Sequence, residues 1–138
     1  MAFPVNRPRR LRTTSIMRRL VAENSLSVND LVYPLFTCPG SKLKEPIPSM
    51  AGCFHLSPDM IADEAREVAA LGIPAVLLFG IPEKKDAAGS GSADPDGAVQ
   101  QSIRAIKEAC PELLVMTDVC LCAYTDHGHC GLVKNGTI

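Results

Sequence analysis

The sequence is poor in aromatic residues and contains no long apolar run. Aromatic residues make up 4% of the 138 positions and tryptophan is absent. This leaves little stacking surface for single-stranded nucleic acid and predicts an aliphatic core. No apolar stretch approaches the roughly 20 residues that a membrane-spanning helix needs. We therefore expect a soluble protein that binds neither nucleic acid nor a membrane.

A secretory signal segment is also missing, although the sequence contains six cysteines. Without such a segment, the cysteines are expected to be reduced thiols in the cytoplasm and not a disulfide framework. Cys38, Cys53 and Cys110 are isolated and are interpreted as small apolar fillers or incidental thiols. The other three lie within eleven positions of one another and need a separate explanation.

The charges nearly cancel, with 14 basic and 15 acidic residues, but they are unevenly distributed. Six arginines precede the first acidic residue, Glu23, whereas 15 acidic and 8 basic residues lie beyond residue 19. This predicts a basic N-terminal arm with a short helix (1–28), followed by a mildly acidic body (29–138). Pro4 and Pro8 disfavour a helical mitochondrial presequence. Contacts with another subunit or with phosphate groups both remain open.

Short apolar runs alternate with segments of helical periodicity beyond the arm. The apolar runs predict buried strands at 31–36, 75–79 and 113–116. Helices are predicted at 14–24 in the arm, at 57–71 and at 98–110. The segments 39–54 and 82–97 are rich in Pro, Gly and Ser and are expected to be loops, the second one mobile.

This order of elements predicts parallel strands joined by right-handed helical crossovers, as in an α/β barrel or a doubly wound sheet. Three strands close neither architecture, and an open piece would expose an apolar edge. The chain is therefore expected to be the front of a longer protein.

A dense cluster of metal-ligating residue types follows the third predicted strand. Residues 118–131, the cysteine segment, read DVCLCAYTDHGHCG, and ligands collect at this end of parallel strands. Cys120 and Cys122 are two positions apart, which places both sulfurs on one side of an extended chain. Gly128 and Gly131 allow a tight path that returns Cys130 to the same point. Three thiolates suit Zn²⁺.

The role of such a metal depends on its fourth position. A ligand from His127 or His129 would give a closed, structural site, whereas water would leave a catalytic position. The spacing leaves both open. A redox dithiol is disfavoured because C-x-C is a poorer redox spacing than C-x-x-C and leaves Cys130 unexplained.

Two further residues of the segment have alternative interpretations. Asp118 is either a polar strand end or a carboxylate that binds a substrate ammonium or directs proton transfer. Tyr124 either packs over the metal site or covers the mouth of the barrel.

The cysteine segment resembles the metal-binding signature of the zinc-dependent porphobilinogen synthases, also called 5-aminolevulinic acid dehydratases. Other segments of that family are matched in the same order by RPRRLR, LVYPLF and LLVMTD. The resemblance covers essentially the whole chain. The resemblance implies the N-terminal part of a (β/α)₈ TIM barrel with an extended N-terminal arm that embraces a neighbour in a homo-octamer. Residues 29–138 would be its first three βα units. The implied reaction condenses two 5-aminolevulinate molecules to porphobilinogen, in tetrapyrrole and haem biosynthesis.

The resemblance also implies roles for individual residues. Cys120, Cys122 and Cys130 would bind a catalytic Zn²⁺, and Asp118 would be an active-site acid. The family's two Schiff-base lysines belong to later strands, and none of the lysines here matches them. The chain alone is therefore expected to be inactive. Asp126 stands where the family more often has a hydroxyl group, and either strengthens the field on the metal or faces water.

A second hypothesis does not need catalysis. The chain could be a small interaction module in which zinc is purely structural and the basic arm contacts a partner. It predicts independent folding and a closed set of four ligands.

Overall fold

The computed structural model describes Arg7 and residues 9–138. Pro4 and Pro8, on which the prediction for the arm partly rests, lie outside the described residues. A five-stranded sheet has the order β2-β3-β1-β4-β5. The strands are β1 (Val32–Thr37), β2 (Lys44–Pro46), β3 (Phe54–Leu56), β4 (Ala75–Gly80) and β5 (Leu114–Thr117). The helices are α1 (Ser15–Leu20), α2 (Pro58–Ala70) and α3 (Ala98–Ala109).

The strands β1, β4 and β5 form the parallel centre of the sheet. Strand β4 lies between β1 and β5 and pairs with both of them in parallel. The predicted alternation of strands and helices is confirmed, with element ends shifted by one or a few residues. Pro34 pairs in register with Leu77 of β4, whereas β3 joins β1 only from Phe36 onward. The proline therefore lies where β1 has a neighbour on one side only, as its missing N–H requires.

The prediction of a loop over 39–54 is wrong. This segment contains β2 and the first residue of β3, which pair antiparallel, and β3 extends the sheet beside β1. Each of these strands has only three residues, too few to show an alternating pattern among the surrounding prolines and glycines.

The helices α2 and α3 cover one face of the sheet and enclose an aliphatic core. Val76 and Leu78 of β4 pack there with Ile61 of α2 and Ile106 of α3. The predicted inward face of α2 is correct at Ile61, Ala65 and Val68 and wrong at Ala69 and Leu71, which are exposed. The reason is that α2 ends at Ala70 and the chain turns away at Gly72, whose φ of 79° is left-handed. No helix in the described ranges is long and apolar enough to cross a membrane.

The described part of the arm has little contact with this core. Helix α1 begins after Thr14, whose side chain accepts a hydrogen bond from the Met17 N–H. It ends at Leu20, four residues earlier than predicted, and Ile16 and Leu20 are 68% and 78% exposed. A six-residue helix without tertiary packing has little to extend it.

Candidate metal centre

The candidate site lies at the carboxyl ends of β4 and β5. Asp118 directly follows β5, and its N–H donates to the carbonyl of Leu78 in β4 (3.2 Å). Its Oδ1 accepts a hydrogen bond from the Cys120 N–H (3.1 Å). This side-chain turn bends the chain immediately after the strand. Asp118 therefore shapes the backbone of the first cysteine of the cluster.

The structure brings Cys120, Cys122 and Cys130 together. Cys130 Sγ lies 3.1 Å from the Sγ atoms of both Cys120 and Cys122, and all three sulfurs lie within 4.8 Å of one another. Tetrahedral zinc with Zn–S bonds of about 2.3 Å holds two sulfurs about 3.8 Å apart. The thiols therefore fit a zinc ion after a small outward movement.

Hydrogen bonds among the thiols shift their pKa values in opposite directions. Contacts with Cys120 and Cys122, together with the Leu121 N–H, lower the pKa of Cys130 to about 7. The contact with Cys130 raises the pKa of Cys122 to about 12. Cys130 is therefore the first of the two to ionise, and its thiolate accepts hydrogen bonds from its neighbours. A cluster that carries negative charge near neutral pH suits a divalent cation.

Both histidines of the segment lie outside the sulfur cluster. The metal-competent group found among the described residues consists of the three cysteines. His127 Nε2 lies 3.2 Å from the carbonyl of Ala87, and its Nδ1 accepts from the His129 N–H (3.2 Å). Both ring nitrogens of His127 are thus engaged elsewhere. This arrangement favours an open fourth position over a ligand from His127.

Tyr124 packs against the end of β4. A Cβ atom added to Gly80 would collide with the Tyr124 hydroxyl and would lie 2.7 Å from Val99 Cγ2. Burial raises the pKa of Tyr124, so its hydroxyl is protonated at neutral pH. Because Gly80 ends β4, Tyr124 covers the end of that strand and also borders the cavity beside the cysteines.

A cavity of about 480 Å³ adjoins the cluster. Its polar lining includes Asp118, Cys120 and Gln100, and Phe36 and Phe79 contribute an apolar wall. These two rings stack with their centroids 5.3 Å apart. The volume lies within the range of about 300–1,000 Å³ that is typical of small-molecule sites.

The loop between β4 and α3, which the sequence predicts to be mobile, contains defined local structure. It contains a short 3-10 helix, Ser90–Ala93, and Asp86 pairs with Thr125 of the cysteine segment. Sequence reasoning missed Asp86 and Thr125. The only available signal was the side-chain turn tendency of Asp86, and this does not reveal a partner 39 positions away.

The remaining candidate residues lie elsewhere. Cys38, Cys53 and Cys110 are partly buried free thiols outside the metal-competent group. Lys44 lies in β2, not in a loop as expected, and pairs with Glu64 at 3.3 Å. Asp126 is exposed, and its N–H donates to the carbonyl of Asp86 (3.2 Å).

Comparisons with known proteins match nearly the whole chain to one family. A family model described as delta-aminolevulinic acid dehydratase matches residues 5–138. The delta-aminolevulinic acid dehydratase of Synechocystis sp. is 53% identical over 99% of this chain, and that of Bacillus subtilis is 49% identical over all of it. The chain spans only 42% and 43% of the length of these two relatives.

A solved structure also resembles the fold. The crystal structure of delta-aminolevulinic acid dehydratase (porphobilinogen synthase) from Toxoplasma gondii ME49, in complex with the reaction product porphobilinogen, matches with a TM-score of 0.84 and 38% identity. The match covers 94% of this chain and 37% of that one. Together with the parallel βα units, it confirms the predicted fold, the N-terminal part of a (β/α)₈ barrel.

Proposed function

The chain belongs to the delta-aminolevulinic acid dehydratase family, and we propose that it is the zinc-binding N-terminal part of a porphobilinogen synthase. The whole protein would condense two 5-aminolevulinate molecules to porphobilinogen in tetrapyrrole and haem biosynthesis. The observation that carries this proposal is the convergence of three thiols at the carboxyl ends of parallel strands, beside a cavity of about 480 Å³.

The proposed metal is Zn²⁺, held by Cys120, Cys122 and Cys130. Three sulfur donors favour zinc over the harder cations, which prefer oxygen. Bound there, zinc would act as a Lewis acid toward a substrate oxygen or nitrogen. His127 is engaged with Ala87 and His129, which supports leaving the fourth position to substrate or water.

The surrounding residues have roles that follow from their positions. Asp118 Oδ1 holds the Cys120 N–H, and its carboxylate borders the cavity. We assign it the binding of the substrate ammonium and the acceptance of a proton from it. Tyr124 and the stacked Phe36 and Phe79 line the same cavity and would limit the access of water.

Catalysis also requires residues that this chain does not supply. A Schiff-base lysine must be an unprotonated amine, which usually requires burial or a neighbouring cation. All six lysines of this chain are exposed, and Lys44 is also paired with Glu64. We therefore place the Schiff-base lysines in the rest of the whole protein and expect the 138-residue chain alone to be inactive.

The assembly and location of the whole protein are part of the same proposal. The basic arm exposes Leu11, Ile16 and Leu20, which supports a role in contacting a neighbouring subunit, in a homo-octamer. Reduced thiols at the metal centre are consistent with the cytoplasm.

A chimeric enzyme tests the activity directly. It joins residues 1–138 to the part of the Bacillus subtilis relative that lies beyond its matched region. We expect this chimera to form porphobilinogen from 5-aminolevulinate, the Cys130→Ala variant to lose at least a hundredfold in kcat/KM, and the Cys53→Ala control to remain within about threefold. Full activity in a variant with all three clustered cysteines replaced would refute the metal assignment.

A further inference from the structure

We propose that the turn at residues 86–90, in the β4–α3 loop, positions Cys130 for metal binding, and that Asp86 is the residue that sets the shape of this turn. The inference rests on the proposed function only in taking the three thiols as a metal centre. It assigns Asp86 as a positioning residue, since none of its contacts is with a sulfur atom.

Cys130 is the ligand that needs such support. Cys120 and Cys122 follow β5 closely, whereas Cys130 lies eight positions beyond Cys122 and is exposed. Residues 120–131 contain no helix or strand. Gly128 is left-handed, with φ of 74°, and no atom lies within 4 Å of where its Cβ would be. Beyond Thr125, neither core packing nor regular structure holds the return of the chain to the cluster.

The 86–90 turn supplies backbone contacts to this segment. The Asp86 N–H donates to the carbonyl of Tyr124 (3.3 Å), and the Asp126 N–H donates to the carbonyl of Asp86 (3.2 Å). These two bonds bracket Thr125, which is 2% exposed. The Thr125 hydroxyl donates to the carbonyl of His129 (2.9 Å). A continuous series of bonds therefore leads from Asp86 to the residue that precedes Cys130.

His127 makes a second connection between the two segments. Its Nε2 lies 3.2 Å from the carbonyl of Ala87 and donates to it, while Nδ1 accepts from the His129 N–H. One neutral tautomer satisfies both bonds. The 126–129 turn is thus held at Asp126 and at His127 by consecutive residues of the other loop.

The carboxylate of Asp86 shapes the turn that makes these contacts. It accepts hydrogen bonds from the Ala88 N–H (2.8 Å), the Ser90 N–H (3.1 Å) and the Ser90 hydroxyl. These bonds lower its pKa, so the group is charged at neutral pH. Gly89 is left-handed, and a Cβ there would lie 3.3 Å from Thr125 Cγ2. The turn therefore packs closely on Thr125, the residue through which it acts on Cys130.

The test is a Co²⁺ titration of the chimeric enzyme, followed by the sulfur-to-cobalt charge-transfer absorption. We expect Asp86→Ala to weaken Co²⁺ binding by about 10-fold, the lower end of the effect of losing a direct outer partner of a metal ligand, because Asp86 acts on Cys130 only through Thr125 and His129. Asp86→Asn keeps one acceptor oxygen and should recover part of the loss. Asp94→Ala is the matched control, since Asp94 holds the Asp96 N–H in a similar turn of the same loop.

The outcomes separate this inference from the proposed function. If Cys130→Ala weakens Co²⁺ binding or reduces the absorption but Asp86→Ala and Asp86→Asn bind Co²⁺ as the parent does, the positioning role is wrong and the metal centre stands. If the parent shows no sulfur-to-cobalt absorption, the metal centre itself is wrong. Circular dichroism identifies variants that have lost their fold. If Asp86→Ala is among them, Asp86→Asn carries the test, with an expected loss of about threefold or more.

Discussion

At the scale of single residues, the ligands of the candidate metal centre could be predicted and their supports could not. The spacing of Cys120, Cys122 and Cys130 predicts that they bind one metal ion. Thiols so close together in the sequence, just after the end of a strand, can easily converge on one point. Asp86 and Thr125 carry no comparable signal. Their importance comes from one isolated pairing between two loops, and this depends on the path of both loops in three dimensions.

Gly80 is in close contact with Tyr124 and Val99, and this contact could not be predicted from the sequence. The residue ends β4, one position beyond the predicted strand, and its missing side chain makes room for Tyr124 and Val99. No periodicity indicates such a contact, because Tyr124 comes from a loop 44 positions away. Tyr124 packs on the strand end and borders the cavity beside the cysteines, and its two interpretations, packing over the metal site or covering the mouth of the barrel, stay predictions.

We predict that Gly80→Ala destabilises the protein by about 1–3 kcal/mol, because the new methyl group overpacks a site that Tyr124 and Val99 already fill. Thermal unfolding of the chimeric enzyme measures the effect. Adding Tyr124→Phe, which removes the colliding hydroxyl, should restore part of the loss. Gly91→Ala is the control, since its Cβ would meet Tyr124 Cδ1 at an ordinary 3.6 Å. Equal stability of Gly80→Ala and Gly91→Ala would contradict the packing described.

At the scale of elements, periodic helices and continuously apolar strands could be predicted from the sequence, and the three-residue strands could not. Helices α2 and α3 have 13 and 12 residues, and each repeats its apolar positions several times. Strands β2 and β3 have three residues each and are formed by pairing with neighbours, not by local preference. Helix α1 was predicted too long because its apolar side chains have no core to pack on within the described residues.

One contact between elements is buried and polar, and no apolar pattern could reveal it. The hydroxyl groups of Thr37, at the end of β1, and Ser102, in α3, lie 2.7 Å apart and are fully buried. Ser102 lies on the inward face of α3 among aliphatic positions. The pair joins the helix to the strand end at the same edge of the sheet as the metal centre.

The two substitutions that each remove one hydroxyl of this pair should not have additive effects on the free energy of unfolding. We expect Thr37→Val and Ser102→Ala each to lower the free energy of unfolding by about 1–3 kcal/mol, since each leaves a buried hydroxyl without its partner. The double variant should lose less than the sum, and denaturant unfolding measures this coupling. Ser41→Ala, at an exposed hydrogen bond to Asp59, should change stability by less than about 0.5 kcal/mol. Strict additivity would contradict the coupling.

At the scale of the whole molecule, the residue pattern predicts the parallel βα architecture, and the family resemblance implies a partial barrel. Parallel pairing follows from the alternation of strands and helices, because a crossover helix returns the chain to the same edge. The match to the Toxoplasma gondii enzyme at 37% of its length agrees with this. The arm resists prediction for a physical reason. Its exposed apolar residues have no core to pack on within the part of the chain that the structure describes.

The candidate metal centre also joins several parts of the molecule. The thiols come from the segment after β5, and the support that we propose for them comes from the loop after β4. Part of the cavity wall comes from Phe36 in β1. A site built from three neighbouring strand ends is typical of a parallel barrel and is unlike a compact zinc module whose ligands alone organise its fold.

X-ray absorption at the zinc edge of the zinc-loaded chimeric enzyme tests the central claim most directly, since it counts the ligands, separates sulfur from lighter donors and recognises an imidazole by the scattering of its outer ring atoms. We predict three sulfur ligands at about 2.3 Å and one lighter ligand that is replaced when 5-aminolevulinate is added. The lighter ligand should persist in a His129→Ala variant. A nitrogen ligand lost in that variant, or fewer than three sulfurs, would contradict an open three-cysteine zinc centre.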